Sequence, residues 1–267
     1  MKTIILCITL IFSISSFAQG ELLLIGGGKR TPAILKKMIE LSGDGPILLV
    51  PLASEIPEEI VVAVKSEFEA LGFKNAEGFQ CKAENVDDQT CLRQIENAHL
   101  VFFTGGDQNR LLKSLANTEA LKLIRKKNKE SLHLAGTSAG TAIMSEIMLT
   151  GEALAPYIEF DGIRPKMVET TQGFGFVKKM IIDQHFLKRS RENRLMSAVF
   201  DHPELIGVGI DEATALLIHA NESFEVLGDS AVMVIDARKS TISVSADRYQ
   251  ARDLKVELLM SGSSFKF

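Results

Sequence analysis

SLHLAGTSAGTAIMS, residues 131–145, changes character twice within one short stretch. Leu132 to Ala135 is an apolar run of the length that a buried strand takes. Gly136-Thr137-Ser138-Ala139-Gly140 then turns through small residues, and Thr141-Ala142-Ile143-Met144 begins a helix. A serine on so tight a strand-to-helix turn has its Oγ pushed outward, and bulkier neighbours would collide with adjoining strands. The first N–H groups of the following helix point at the same place, where an oxyanion would develop. Ser138 is therefore the candidate nucleophile of a G-x-S-x-G elbow, and the Ala139 N–H is one candidate oxyanion donor.

The order of strand, turn and helix recurs upstream. Leu22 to Ile25 is an apolar run that stops at Gly26-Gly27-Gly28. These glycines lack the G-x-G-x-x-G spacing and read as a structural turn near the active face, not as a dinucleotide site. Ile47 to Leu52 is a second strand. A helix opens at Ser54 and Pro57 and runs to about Leu71, with Ile60, Val61, Val64 and Phe68 on one face, and a strand is expected to start at Gly72-Phe73. His99 to Thr104 is a further strand, ending in Gly105-Gly106-Asp107-Gln108 before a helix through Leu111, Leu112 and Leu115. Such alternation predicts an α/β fold built on a doubly wound, mostly parallel sheet, with its site at the carboxyl ends of the strands. Gly106 or Asp107 then brings a second backbone N–H towards Ser138. Beyond Met167 the chain turns strand-rich. Met180 to Ile182 leads into Asp183-Gln184-His185-Phe186, and a helix is expected from about Lys188 to Phe200. Leu205 to Ile210 is again strand, and Phe224 to Asp236 and Leu254 to Met260 read as short strands closing the sheet's edge.

With 46% hydrophobic and 24% charged residues, the 267-residue chain can bury one sizeable core, and no linker or repeat divides it. One catalytic domain over residues 20–267 is expected. The net charge of -4 and the lack of a basic block argue against nucleic acid as a partner. Met1-Lys2, the apolar run from Ile4 to Phe12 and the small residues before Gln19 describe a secretory signal peptide over residues 1–19, cut near Ala18 or Gln19. That run is too short to span a bilayer, so an exported protein, periplasmic or extracellular, is expected. Cys81 and Cys91 then remain, and the sequence leaves open whether they pair or stay as separate thiols. No cluster has metal-ligand spacing, and neither a metal nor a cofactor is expected.

A nucleophile on an elbow needs a base and an orienting acid. His99 and His133 begin strands and so lie at the wrong end, and His202 precedes a proline at a helix end. His185 directly follows a strand among polar residues and is the favoured base. Glu212 ends another strand in the same way and is the favoured acid. Asp183 is the runner-up, while Asp211 faces away from Glu212 and caps a turn. The α/β-hydrolase order of serine, acid, histidine would require Ser138, Glu212 and His219, but that histidine sits inside an apolar strand.

GTSAGTAIMS, FFTGGDQ, IIDQHFLKRSRENRL and GVGIDEATAL, with the ending LLMSGSSF, together resemble the cyanophycinases, in the serine peptidase family that includes the aspartyl dipeptidases. The resemblance covers nearly all of the chain beyond the leader and departs at Thr141, where the family commonly carries alanine. It implies a fold similar to class I glutamine amidotransferase domains and a homodimer. It further implies cleavage of β-Asp-Arg units from a cyanophycin-like polymer, with Ser138, His185 and Glu212 as triad. Gln108, Asp183, Gln184, Arg189, Arg191 and Arg194 match residues that line the family's substrate site. Spacings of two and three keep the three arginines off one helix face, so surface ion pairs and a forked grip on a substrate carboxylate both stay open. A general aspartyl or isoaspartyl dipeptidase, and a non-catalytic exported binding domain, are the alternatives.

Overall fold

The computed structural model describes residues 19–157 and 159–267; the expected leader, apart from Gln19, lies outside them. The first strand, β1 (Leu22–Ile25), is buried along its whole length, as are β2 (Ile47–Val50) and β4 (Leu100–Phe103). Strands covered on both faces read as continuous apolar runs, which is why these were legible in the sequence. Between them run α1 (Pro32–Ser42), α2 (Pro57–Glu69), the short β3 (Ala76–Gly78) and α3 (Gln89–Asn97). Next come α4 (Gln108–Leu115), α5 (Glu119–Glu130), β5 (His133–Thr137) and the single turn α6 (Ala139–Ala142). The five strands β1, β5, β4, β2 and β3 pair in parallel in that order, with the elbow at the carboxyl end of β5.

One face of this sheet packs on α1 and α2 through Ile34, Met38, Val64 and Phe68, and the other on the later helices through Leu111, Leu115, Leu121 and Ile124. The strand expected at Gly72-Phe73 begins only at Ala76. Phe73 instead folds back to close α2: its N–H donates to Phe68 O at 3.1 Å, and its ring lies 5.9 Å from that of Phe68. A hydrophobic contact of this kind accompanies a Schellman-type helix end.

The strand-rich remainder departs from the expected single sheet. A hairpin of β6 (Ile147–Ala153) and β7 (Val168–Gln172) precedes β8 (Met180–Gln184), α7 (Glu192–Asp201) and β9 (Ile206–Ile210). β10 (Thr214–His219) extends the first sheet antiparallel to β1, and β11 (Ser223–Gly228) pairs antiparallel with β10. β12 (Ala231–Asp236) instead turns back onto β9, the hairpin of β13 (Thr241–Ser245) and β14 (Arg248–Arg252) intervenes, and β15 (Lys255–Met260) pairs with β12. The last strand, β16 (Ser264–Lys266), joins β11. The outcome is an eight-stranded sheet and a separate four-stranded sheet in the order β15-β12-β9-β8. Met180, Ile182, Val208, Ile210 and Val232 of the second sheet press on the same core as the first, and α7 covers its other face through Leu195, Ala198 and Val199.

The helix expected from Lys188 to Phe200 is broken. Ser190, at φ 50°, separates a single turn over Leu187–Arg189 from α7. Cys81 and Cys91 are joined as a disulfide, their Cα atoms 6.0 Å apart, which ties the approach to α3 onto that helix. Among the described residues no helix is long and apolar enough to cross a membrane.

Candidate active site

Ser138 stands between β5 and α6 with φ 54° and ψ −113°, a backbone conformation that L residues rarely adopt. Such strain persists only where the surroundings over-determine it. The small neighbours read from the sequence serve that purpose. A methyl group on Gly140 would lie 2.1 Å from Phe103 O, so only glycine lets the elbow settle against β4.

The three residues expected to act together come from three loops, and the end of β1 holds all of them. The Ser138 N–H donates to Ile25 O at 3.1 Å, the His185 N–H to Gly26 O at 2.7 Å, and the Ala213 N–H to Gly27 O at 3.0 Å. Three consecutive carbonyls thus anchor the elbow, the residue after β8 and the residue after Glu212. The Gly26-Gly28 turn also leaves space for the side chains. A methyl on Gly27, at φ 115°, would sit 2.3 Å from His185 Cε1, and one on Gly28, at φ 66°, 2.9 Å from Glu212 Cβ. The sequence placed this turn near the active face but did not show that it seats the imidazole and the carboxylate.

Ser138 Oγ lies 2.9 Å from His185 Nε2, and His185 Nδ1 lies 2.6 Å from Glu212 Oε1. A carboxylate only accepts, so Nδ1 carries the proton and Nε2 is left to accept from the serine hydroxyl. Burial pushes the His185 pKa below its ordinary value. Glu212 opposes that shift, while the positive charges of Arg189 and Arg191 add to it. The imidazole therefore stays neutral, the form in which it can take a proton.

Asp183, the runner-up acid, points elsewhere. Its carboxylate is fully buried and is gripped by Arg194, with Arg194 Nε donating to Oδ2 at 2.6 Å. Both side chains lie beneath the open face, so the structure gives them a supporting place where substrate contact was expected. Arg191 donates to the Gln184 carbonyl and to Gln184 Oε1, at 2.5 and 2.9 Å, and lies 3.6 Å from Asp183. Desolvation pulls its pKa down to about 10. Gln184 is buried, with Oε1 3.5 Å from Ser138 Oγ. Arg189, on the exposed turn before Ser190, is the one arginine of the three open to solvent beside His185.

Of the oxyanion candidates, the Gly106 and Ala139 N–H groups have no protein acceptor among the described residues. A methyl on Gly105 would come 3.5 Å from Ser138 Cβ, which sets that loop beside Ser138. Asp107, expected as an alternative donor, is already engaged: its N–H donates to Ala53 O at 2.9 Å, and its side chain caps α4 by accepting from Asn109 N at 2.8 Å. Gln108 donates its side-chain amide to Leu149 O and Thr150 O at 3.2 and 2.5 Å, holding the β6–β7 hairpin against the site. Asp211 accepts from the Lys188 N–H at 2.9 Å, the capping role expected of it. His219 faces Glu21 at 2.5 Å, at the far end of β10, so the serine, acid, histidine order is not assembled.

A sequence model of peptidase family S51 matches residues 22–226. The chain belongs to peptidase family S51. It is a serine-type peptidase. A cyanophycinase of Geminocystis herdmanii is 30% identical over 263 residues, covering 93% of this chain and 94% of that one. A cyanophycinase of Trichormus variabilis is 34% identical over 199 residues, and the match spans 73% of this chain but 64% of that relative. The crystal structure of a peptidase from an acI-B1 Actinobacterium superposes with a TM-score of 0.69 at 25% identity, covering 94% of this chain and 98% of the other. The S51 chain also has a cavity of about 430 Å³ at the opposite end of these strands, lined by residues that include Arg125, Lys178 and His219, and it shares no residue with this site.

Two outcomes follow from the geometry. Gly27→Ala should lower kcat by about 100-fold or more, because misplacing a reacting group by about 1 Å has that effect; turnover beside a thermal melt checks it, and a folded variant of normal rate would refute it. The acid limb of the kcat/KM profile should have its midpoint below 6.5, since the pKa of His185 is lowered and its neutral form is the reactive one. Removing a nearby positive charge eases protonation, so Arg189→Ala should move that midpoint up; an unmoved or lower midpoint contradicts this.

Proposed function

We propose that this peptidase hydrolyses multi-L-arginyl-poly-L-aspartate to β-Asp-Arg dipeptides through a Ser138-His185-Glu212 triad and an acyl-enzyme. The observation that carries the chemistry is the continuous relay from Ser138 Oγ to Nε2 at 2.9 Å and from Nδ1 to Glu212 at 2.6 Å. The cyanophycinase relatives, one of them matched over 94% of its length, support the substrate class.

His185 takes the proton of Ser138 as Oγ attacks the carbonyl of the scissile amide. The Ala139 and Gly106 N–H groups receive the oxyanion, each contributing about 3 kcal/mol to lowering the barrier. Glu212 holds the tautomer and balances the charge that develops on the imidazole. The C–N bond breaks as His185 returns its proton to the leaving amine, and water, activated by the same imidazole, releases the acyl group. Arg189 offers its open guanidinium to a substrate carboxylate, and Gln108 and Gln184 border the same face. Arg191 and Arg194 outnumber Asp183 beneath the site, which adds positive potential for an acidic substrate backbone.

The reading also includes a glutamine amidotransferase-like fold, export after removal of a leader, and a homodimer. The Cys81–Cys91 disulfide favours an oxidising compartment. An N-terminal mass that retains Met1, or sedimentation as a monomer, would remove the last two. For the activity itself, wild-type protein and Ser138→Ala are offered insoluble polymer beside free isoaspartyl dipeptides. Wild type should release β-Asp-Arg, and the variant should lose at least about 10⁴-fold in kcat with an unchanged melting temperature. Turnover of the dipeptides alone would replace the polymer with short peptides as substrate, and an active Ser138→Ala would end the mechanism.

A further inference from the structure

Thr141, three residues past the nucleophile, is fully buried and touches no open part of the site. Its Oγ1 lies 2.7 Å from Ile25 O and 2.8 Å from Gly136 O. A hydroxyl has one proton to give, and here it is directed at two carbonyls of neighbouring strands. The position of those carbonyls is what matters. The parallel ladder of β1 and β5 ends at the pair Ile25 and Thr137, so the elbow runs out just beyond the last regular pairing. Past that point the Ser138 N–H still donates to Ile25 O at 3.1 Å, and the Thr141 hydroxyl reaches the same oxygen from one turn further on. The next carbonyl in the chain, Gly26 O, carries His185.

We propose that Thr141 is a positioning residue, whose hydroxyl clamps the strained elbow to the end of β1 and so fixes the distance between Ser138 Oγ and His185. The nucleophile and the base hang from adjacent carbonyls, and the clamp prevents the elbow from sliding along β1 relative to the imidazole. Without it, Ser138 at φ 54° is held by one backbone hydrogen bond on that side, and relaxing the strain draws Oγ away from Nε2. Binding is untouched, because Thr141 does not face the substrate. This inference rests on the assignment of Ser138 and His185 made above.

Thr141→Val keeps the shape and deletes the donor, whereas Thr141→Ser keeps the donor and deletes the methyl. The readouts are the rate constant for labelling of Ser138 by a fluorophosphonate, and kcat and KM on the polymer, each per titrated active site. The expected result is labelling and kcat slower by about tenfold or more in Thr141→Val, with KM within about twofold of wild type and Thr141→Ser within about threefold in every constant. A Thr141→Val protein that labels at the wild-type rate overturns the clamp. A Thr141→Ser protein as slow as Thr141→Val also overturns it, since the loss would then belong to the methyl group. If Thr141→Val gives no cooperative unfolding transition, Thr141→Ala replaces it: a slow alanine variant beside a fast serine variant supports the clamp, and equal rates overturn it. Labelling requires no substrate, so the test outlasts failure of the polymer as substrate. A wild-type protein that the reagent does not label overturns nucleophile and clamp together.

Discussion

Three hydrogen bonds to successive carbonyls, at and just past the end of β1, hold the site together. Ile25, Gly26 and Gly27 accept from Ser138, His185 and Ala213, and so fix three loops that are distant in the chain against one rigid edge. β1 earns that role by position. It lies between β5 and β10 in the larger sheet, it is buried along its length, and its carboxyl end faces the elbow. A site held from a strand end is stiffer than one held by loops alone, because the strand's own ladder resists displacement. The glycines that follow add a second property: they take up no room where the imidazole and the carboxylate need it.

Charge is arranged in two tiers around this edge. Below, Asp183 is enclosed by Arg194 and approached by Arg191, and the cluster fixes the backbone around Gln184 immediately before His185. A buried carboxylate needs partners of this kind, since an unpaired charge is costly away from water. Above, Arg189 is exposed on a turn that exists because Ser190 adopts a left-handed conformation. One motif thus supplies both the support and the exposed cation, and the helix break after Arg189 separates the two tasks.

Much of this was legible in the sequence, and the reasons differ by element. The strands of the parallel sheet showed because burial on both faces makes them continuously apolar, and the elbow showed because its turn tolerates only small residues. Ser138, His185 and Glu212 could be chosen because each lies just past the carboxyl end of a strand. The division into two sheets was not legible. Whether β12 pairs with β9 or with β11 depends on long-range contacts that its own residues do not specify. Asp107 was misjudged for a related reason: the loss of its N–H to Ala53 depends on a loop more than fifty residues upstream. The clamp at Thr141 gave only a weak signal, since a lone threonine in an elbow carries no pattern.

The division into two sheets has a consequence for where the parts of the site come from. Ser138 belongs to the larger sheet, while His185 and Glu212 follow strands of the smaller one, whose inner strand β9 is flanked by β12 from the last quarter of the chain. The segment from β1 to β5 carries Ser138 but neither of the side chains that it meets in the relay. The pairing of Ser138 with His185 and Glu212 is thus a contact between the two sheets, and it exists only where both are in place.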